Sequence, residues 1–242
     1  MQAVVVACVV GAAGFGRPVT DREACALCGT CVGACTAEAR EIVGREMSVP
    51  QVMAEIERDV PFYDESGGGV TFSGGEPLAQ PAFLLALLRA CREKEIHTAL
   101  DTCGFAPWEV LDTVRASVDL FLYDLKVMDD ARHRTLTGAS NERILQNLRA
   151  LSQAGHEIVL RVPVIPGVND DDQNVRQTGA FAAALPALCR VDLLPYHHAG
   201  TEKYGRLHRE YALPETRPPS DGRMQKIARA LRELGLQVKT GG

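Results

Sequence analysis

The sequence predicts an α/β protein: a partial (β/α)6-type TIM barrel with a small cysteine-rich segment near the amino terminus. Three observations carry this. From residue 48 onward, short apolar runs alternate with amphipathic helical ones, which implies a parallel sheet joined by right-handed crossovers. Charged residues recur at or near the ends of those strands, where a parallel barrel builds its site. And four of the eight cysteines fall within residues 25–35. The expected division is 1–24, to which no function is assigned, 25–47 as the iron–sulfur segment, and 48–242 as the partial barrel.

Composition narrows the class. Hydrophobic residues make up 46% and charged residues 24%, as in an ordinary globular chain. The net charge is −5, from 26 basic and 31 acidic residues, which argues against unaided nucleic-acid binding. No apolar run reaches membrane-spanning length, and Ala3–Ala13 lacks the charged flank of a signal peptide. The expected setting is the cytoplasm, with neither nucleic acid nor membrane as a partner.

In chain order, Val4–Val10 is a candidate buried strand and the first candidate strand of the barrel. Gly11–Gly16 completes no dinucleotide fingerprint. Cys25, Cys28, Cys31 and Cys35 then form a Cys-x2-Cys-x2-Cys-x3-Cys run. Three thiolates at that spacing can wrap one face of an iron–sulfur cubane, and in two-cluster ferredoxins the fourth ligates the other cluster. A structural zinc site is the alternative, although zinc knuckles usually come as separated Cys-x2-Cys pairs. Thr36 stands where a proline usually follows such a run, and no second run is present.

Ser48 with Gln51 reads as a capping box, followed by Val49, Val52, Met53, Ile56 and Val60 at helical spacing. A strand at Val70–Ser73 runs into Gly74-Gly75-Glu76-Pro77. Glycines there let the backbone approach a ligand, Glu76 adds a carboxylate, and Pro77 stiffens the exit. A glycine-rich surface hairpin is the bland alternative. Pro81 suits a helix start, with Phe83, Leu84, Leu87, Leu88 and Cys91 on one face. His97–Asp101 is a strand, Pro107–Arg115 a helix, Asp119–Lys126 a strand and Asn141–Ala154 a helix. Glu157–Ile165 is a strand, Asp172–Leu185 a helix, Val191–Tyr196 a strand, Ser220–Leu234 a helix and Gln237–Lys239 a last short strand.

Glu76, Asp101, Asp124, Lys126, Arg161 and His197 all lie at or near carboxyl ends of consecutive strands, with Arg161 inside its strand. Each alone could be a solvated strand terminus or a structural histidine. Together they point to one binding site. Its mixed charges suit a ligand bearing both an ammonium and a carboxylate, such as an amino-acid moiety.

Several stretches resemble the glycyl-radical-enzyme activating enzymes of the radical S-adenosylmethionine superfamily. They are Tyr63–Pro77, His97–Phe105, Tyr123–Lys126, Leu136–Gly138 with Ser140 and Asn141, Arg161–Gly167 and Leu194–His197. The Cys25–Cys35 run is similar to the ferredoxin-like insert many of them carry, here as a remnant. The resemblance implies that Gly74, Gly75 and Glu76 bind the amino group of S-adenosylmethionine. It implies that Asp101, Lys126 and His197 contact cofactor or substrate peptide, and that Arg161 lines the same cavity. It implies a monovalent cation near Asp101, Thr102 and Asp124. The implied activity is reductive cleavage of S-adenosylmethionine by a low-potential [4Fe-4S] cluster. The 5′-deoxyadenosyl radical so formed abstracts hydrogen from a glycine of a partner glycyl-radical enzyme. An electron donor such as flavodoxin or ferredoxin is implied with it.

One departure is large. The family's Cys-x3-Cys-x2-Cys is absent from the sequence. The expectation is that the true amino-terminal segment is missing, that residues 1–20 are unrelated or out of frame, and that activity is impaired. The alternative is a non-catalytic remnant that binds S-adenosylmethionine, a cluster or a partner enzyme. A phosphate-binding barrel is disfavoured, because no Gly-Lys-Ser/Thr follows the glycines.

Overall fold

The structure, a computed structural model, describes residues 7–10, 25–38, 40–198, 204 and 210–241. By contact density the chain divides into Met1–Ser48 with His197–Glu215, and Val49–Tyr196 with Thr216–Gly242.

In the first unit, β1 (Ala7–Val10) pairs antiparallel with β2 (Arg40–Val43), Ala7 opposite Val43 and Val10 opposite Arg40. Between them lies a short helix, α1 (Thr30–Gly33), entered through Gly29 at φ 74°. This corrects the sequence expectation for the amino-terminal run. Residues 7–10 do not form a barrel strand, while 4–6 fall outside the described residues. A four-residue apolar run does not specify its partner, so its neighbours decide the pairing.

In the second unit, the helices α2 (Val49–Arg58) and α3 (Val60–Ser66) lead into β3 (Gly69–Phe72). The remaining order is α4 (Pro81–Glu93), β4 (His97–Thr102), α5 (Trp108–Arg115), β5 (Leu120–Asp124), α6 (Asp130–Thr137), α7 (Glu142–Gln153), β6 (Glu157–Val164), α8 (Asp172–Ala183), β7 (Leu188–Pro195), α9 (Asp221–Arg232) and β8 (Val238–Thr240). The six strands β3 to β8 form one parallel sheet in chain order, open between β3 and β8. This is the partial barrel the alternation predicted, with β3 as its first described strand rather than its second.

Local signals set the boundaries. Side chains of Asp129, Asp171 and Ser220 accept the backbone N–H of Arg132, Asn174 and Arg223, capping α6, α8 and α9. The main core joins Leu88, Leu100, Leu111, Phe121, Leu148, Leu151, Ile158, Leu160, Leu193 and Leu231, all fully buried. A second cluster packs Met53 and Ile56 of α2 against Leu87, Cys91 and Ile96. These layers fix the strands, and the strands fix where their ends point. Among the described residues, no helix is long and apolar enough to cross a membrane.

Candidate functional site at the carboxyl ends of β3 to β6

The site begins where β3 runs out. Gly74 takes φ 123°, a conformation that side-chain-bearing residues rarely adopt. A Cβ at Gly74 or Gly75 would meet nothing within 4 Å, so the backbone of this turn faces open space that a ligand can enter. Glu76 closes the turn and caps the 3-10 turn at Pro77–Ala79.

The Glu76 carboxylate is tied across to β4. Its Oε1 accepts the Thr102 hydroxyl at 2.6 Å and the Leu78 N–H at 3.2 Å. Its Oε2 accepts the Cys103 N–H at 3.0 Å and the Cys103 thiol at 3.1 Å. Burial, followed by the hydrogen bond to Glu76, pushes the Cys103 thiol up to about 11.

Next to this latch lies an ionic bridge. The parallel register sets Asp124 of β5 beside Arg161 of β6, and Arg161 beside Asp192 of β7. The Arg161 guanidinium reaches Asp101 Oδ1 at 2.7 Å and Asp124 Oδ1 at 2.9 Å. Burial alone would pull Arg161 down, but Asp124 and Asp101 outweigh it and hold it above its ordinary value. Ser73 donates to Asp101 Oδ2 at 2.9 Å, and Lys126 Nζ stands 3.6 Å from Asp124 Oδ2. The side chains of Arg161, Asp101 and Asp124 are 18–23% exposed, so the bridge is screened only in part.

Buried asparagines hold the loops behind these groups. Asn169 Nδ2 donates to the carbonyls of Lys126 and Pro163, and its Oδ1 accepts the Ile165 N–H. Asn174 accepts from Met128 N–H and donates to the Asn169 carbonyl. Asn147 of α7 donates to the carbonyls of Gly104 and Ala106.

Of the sequence-predicted residues, the structure brings Glu76, Asp101, Asp124, Lys126 and Arg161 to one end of the sheet, beside the Gly74–Gly75 turn. His197, two residues past β7, and Cys25, Cys28, Cys31 and Cys35 fall in the first unit. Sequence reasoning missed Ser73, Cys103, Asn169 and the buried Asp192, which is held by Arg190 at 2.8 Å. Cys103 had a signal, being two residues beyond Asp101 at a strand end, and Asp192 had one as a lone acid in an apolar strand. A cavity of about 620 Å³ lined by Arg149, Gln153, Gln177 and Phe181 lies instead among the outer helices α7 and α8 and shares none of these residues.

Comparison with known proteins fits this geometry. The sequence profile of the radical SAM superfamily matches residues 23–178. The chain belongs to the radical SAM superfamily. Its relatives there include activating enzymes of glycyl-radical enzymes. It is 43% identical over 206 residues to the trans-4-hydroxy-L-proline dehydratase activating enzyme of Clostridioides difficile, covering 84% of this chain and 68% of that protein. It is 45% identical over 198 residues to the isethionate sulfite-lyase activating enzyme of Nitratidesulfovibrio vulgaris, covering 81% of this chain and 64% of that one. The chain therefore spans about two thirds of the length of these relatives. Among solved structures it is similar to a domain of pyruvate-formate lyase-activating enzyme from Bacteroides vulgatus. The identity is 37% and the TM-score 0.62, over 73% of this chain and 100% of that one.

Membership in the radical SAM superfamily implies S-adenosylmethionine and a [4Fe-4S] cluster. The carboxyl end of the sheet fits the first: an open glycine turn stands beside carboxylates and cations that can pair with both ends of an amino-acid moiety. For the cluster, the thiols of Cys25, Cys28, Cys31 and Cys35 are the right donors. Their arrangement does not match, since no three His, Cys, Asp or Glu side chains among the described residues stand where they could hold a metal ion. Cys28 Sγ lies 3.3 Å from the Thr30 hydroxyl, which lowers its thiol pKa.

Proposed function

We propose that this chain is the S-adenosylmethionine-binding barrel of a glycyl-radical-enzyme activase. The observation that carries the reading is the convergence of Asp101, Asp124, Lys126 and Arg161 beside the open Gly74–Gly75 turn. In such an activase, S-adenosylmethionine and a reduced [4Fe-4S] cluster supply the 5′-deoxyadenosyl radical that takes a hydrogen atom from a glycine of the partner enzyme.

The residues of this chain bind and orient. The glycine turn, closed by Glu76, cradles the ammonium end of the cofactor, and Asp101 adds negative charge beside it. Arg161 and Lys126 offer cations to its carboxylate. A monovalent cation near Asp101, Thr102 and Asp124 belongs to the same reading and would share those carboxylates with Arg161. By the family resemblance His197 would contact the cofactor or the partner's glycine loop, and Cys25, Cys28, Cys31 and Cys35 would serve a ferredoxin-like cluster only once drawn closer together than they now stand. The reading places the protein in the cytoplasm, beside a low-potential donor such as flavodoxin or ferredoxin.

Cleavage by the chain as given is proposed to be impaired. The sequence holds no Cys-x3-Cys-x2-Cys to leave one iron open for the cofactor. The same absence favours a second reading, a non-catalytic protein that binds S-adenosylmethionine, a cluster or a partner without radical chemistry. Anaerobic reconstitution with iron counting, calorimetry of S-adenosylmethionine binding and a 5′-deoxyadenosine assay test both. The expected result is binding without 5′-deoxyadenosine. Its release would show that the chain is catalytically competent as given, and failure to bind would overturn the functional reading itself.

A further inference from the structure

We infer that Cys103 is a positioning residue for cofactor binding: its thiol and backbone N–H together hold one oxygen of Glu76, and through Glu76 they set the shape of the Gly74–Gly75 turn. The inference rests on the reading of this end of the sheet as the S-adenosylmethionine site.

Among the described residues, the donors around that carboxylate all come from the β4 end and the turn after Glu76. Leu78 N–H and the Thr102 hydroxyl serve Oε1, and Cys103 N–H and S–H serve Oε2. A carboxylate so engaged acts through the turn it closes. The thiol contact, at 3.1 Å between sulfur and oxygen, is short for a sulfur donor. Removing the S–H leaves Oε2, among the described residues, with one donor in a half-buried place, and a carboxylate that loses a donor turns toward water.

Cys103 is well held for this task. The Gly104 N–H donates to Thr102 Oγ1 at 2.9 Å, so the two residues flanking Cys103 are bonded to each other. Asn147, itself buried, grips the carbonyls of Gly104 and Ala106 at 2.8 and 2.9 Å. Gly104 sits at φ 66° against Tyr123, whose hydroxyl is fixed at 2.7 Å to the Ile144 carbonyl, and a Cβ at Gly104 would overlap that hydroxyl. The chain of contacts runs from the α7 core through the β4 loop to the glycine turn after β3. Each link is a hydrogen bond or a packed contact, so the sulfur is aimed before any ligand arrives.

The test compares the wild-type chain with Cys103→Ala and Cys103→Ser by calorimetric titration with S-adenosylmethionine, with melting temperatures alongside. Cys103→Ala keeps the backbone donor and loses the thiol. Its affinity is expected to fall about tenfold, the worth of one hydrogen bond to a charged group. Cys103→Ser restores a side-chain donor and is expected to recover most of that loss, and both variants keep the wild-type melting temperature. Equal affinity for Cys103→Ala and wild type overturns the inference. So does a loss of affinity that tracks a loss of melting temperature in both variants, which would make Cys103 a packing residue. A second measurement needs no cofactor. The infrared S–H stretch of Cys103, isolated as the difference between wild type and Cys103→Ala, should move to higher wavenumber in Glu76→Gln, where the acceptor is neutral and weaker. A band that does not move overturns the inference. If the wild-type chain binds no S-adenosylmethionine, the functional reading and the cofactor-positioning role fail together, and the infrared band still decides separately whether the Cys103 thiol holds Glu76.

Discussion

At the scale of single residues, Arg161 has the greatest leverage. It is the shared partner of Asp101 and Asp124, both largely buried. Arg161→Met would leave two carboxylates facing each other without their common cation. Breaking a buried pair costs several kcal/mol, and the partial exposure here reduces that to about 2 kcal/mol. Urea titration should show that loss, and calorimetry should show weaker S-adenosylmethionine binding with it. Unchanged stability and affinity would mean the bridge is a surface contact. The thiols set a separate, pH-dependent effect. Burial pushes Cys91 up to about 11 from an ordinary 9.0, and Cys103 rises to about 11 as well. A thiol whose folded pKa is raised favours folding in its neutral form. Its contribution is complete below pH 9 and is lost as pH climbs through about 11, by up to roughly 2 kcal/mol per thiol. The urea midpoint should therefore fall between pH 9 and 11, and Cys91→Ala should flatten part of that fall.

At the scale of elements, the predicted and observed helices and strands agree where amphipathic periodicity runs long and a capping residue marks the start. Ser220 before α9 is one such case. The helices α3 and α6 escaped the sequence reading for physical reasons. Val60–Ser66 carries a proline in its first turn and buries no residue fully. Asp130–Thr137 is mostly polar, buries only His133, and is held by side-chain bonds that no periodicity reveals. Asp130 accepts from Ser140, from the Asn141 N–H and from Arg134, and is held down at about 2. The charged groups of the site were legible because they stand alone at strand ends. The asparagines that aim them were not, because an asparagine in a loop reads as an ordinary turn residue. Asn169 is the sharpest instance. It is 4% exposed and ties Lys126, Pro163 and Ile165 together. Asn169→Ala strands two carbonyls and one N–H at once and should cost about 2–3 kcal/mol. Asn169→Asp, which keeps only the bond to Ile165, should also be destabilised. Thermal melts measure the cost, and S-adenosylmethionine titration should show an accompanying loss if the asparagine holds the Lys126 loop in its binding shape. A variant as stable as wild type would show that water replaces the amide.

At the scale of the molecule, the parallel sheet was readable because each strand is followed by a helix, and that alternation leaves few topologies open. The amino-terminal part was not, since apolar residues alone do not say whether a short strand joins a barrel or pairs with Arg40–Val43. The division of the chain leads to a prediction. Every buried residue of both hydrophobic clusters, from Met53 to Leu231, lies within Val49–Tyr196 or Thr216–Gly242. The six parallel strands and the glycine turn lie there too. Hydrophobic burial is the dominant favourable term in folding, so a unit that contains the whole described core should hold its own stability. A chain beginning at Val49 is expected to unfold in one cooperative transition. Its stability should stay within about 1 kcal/mol of the full chain, which for this size is a shift of roughly 3 °C in melting temperature. Calorimetric melting of the two chains measures it. Loss of the cooperative transition would mean that residues 1–48 complete a core which the buried clusters do not account for.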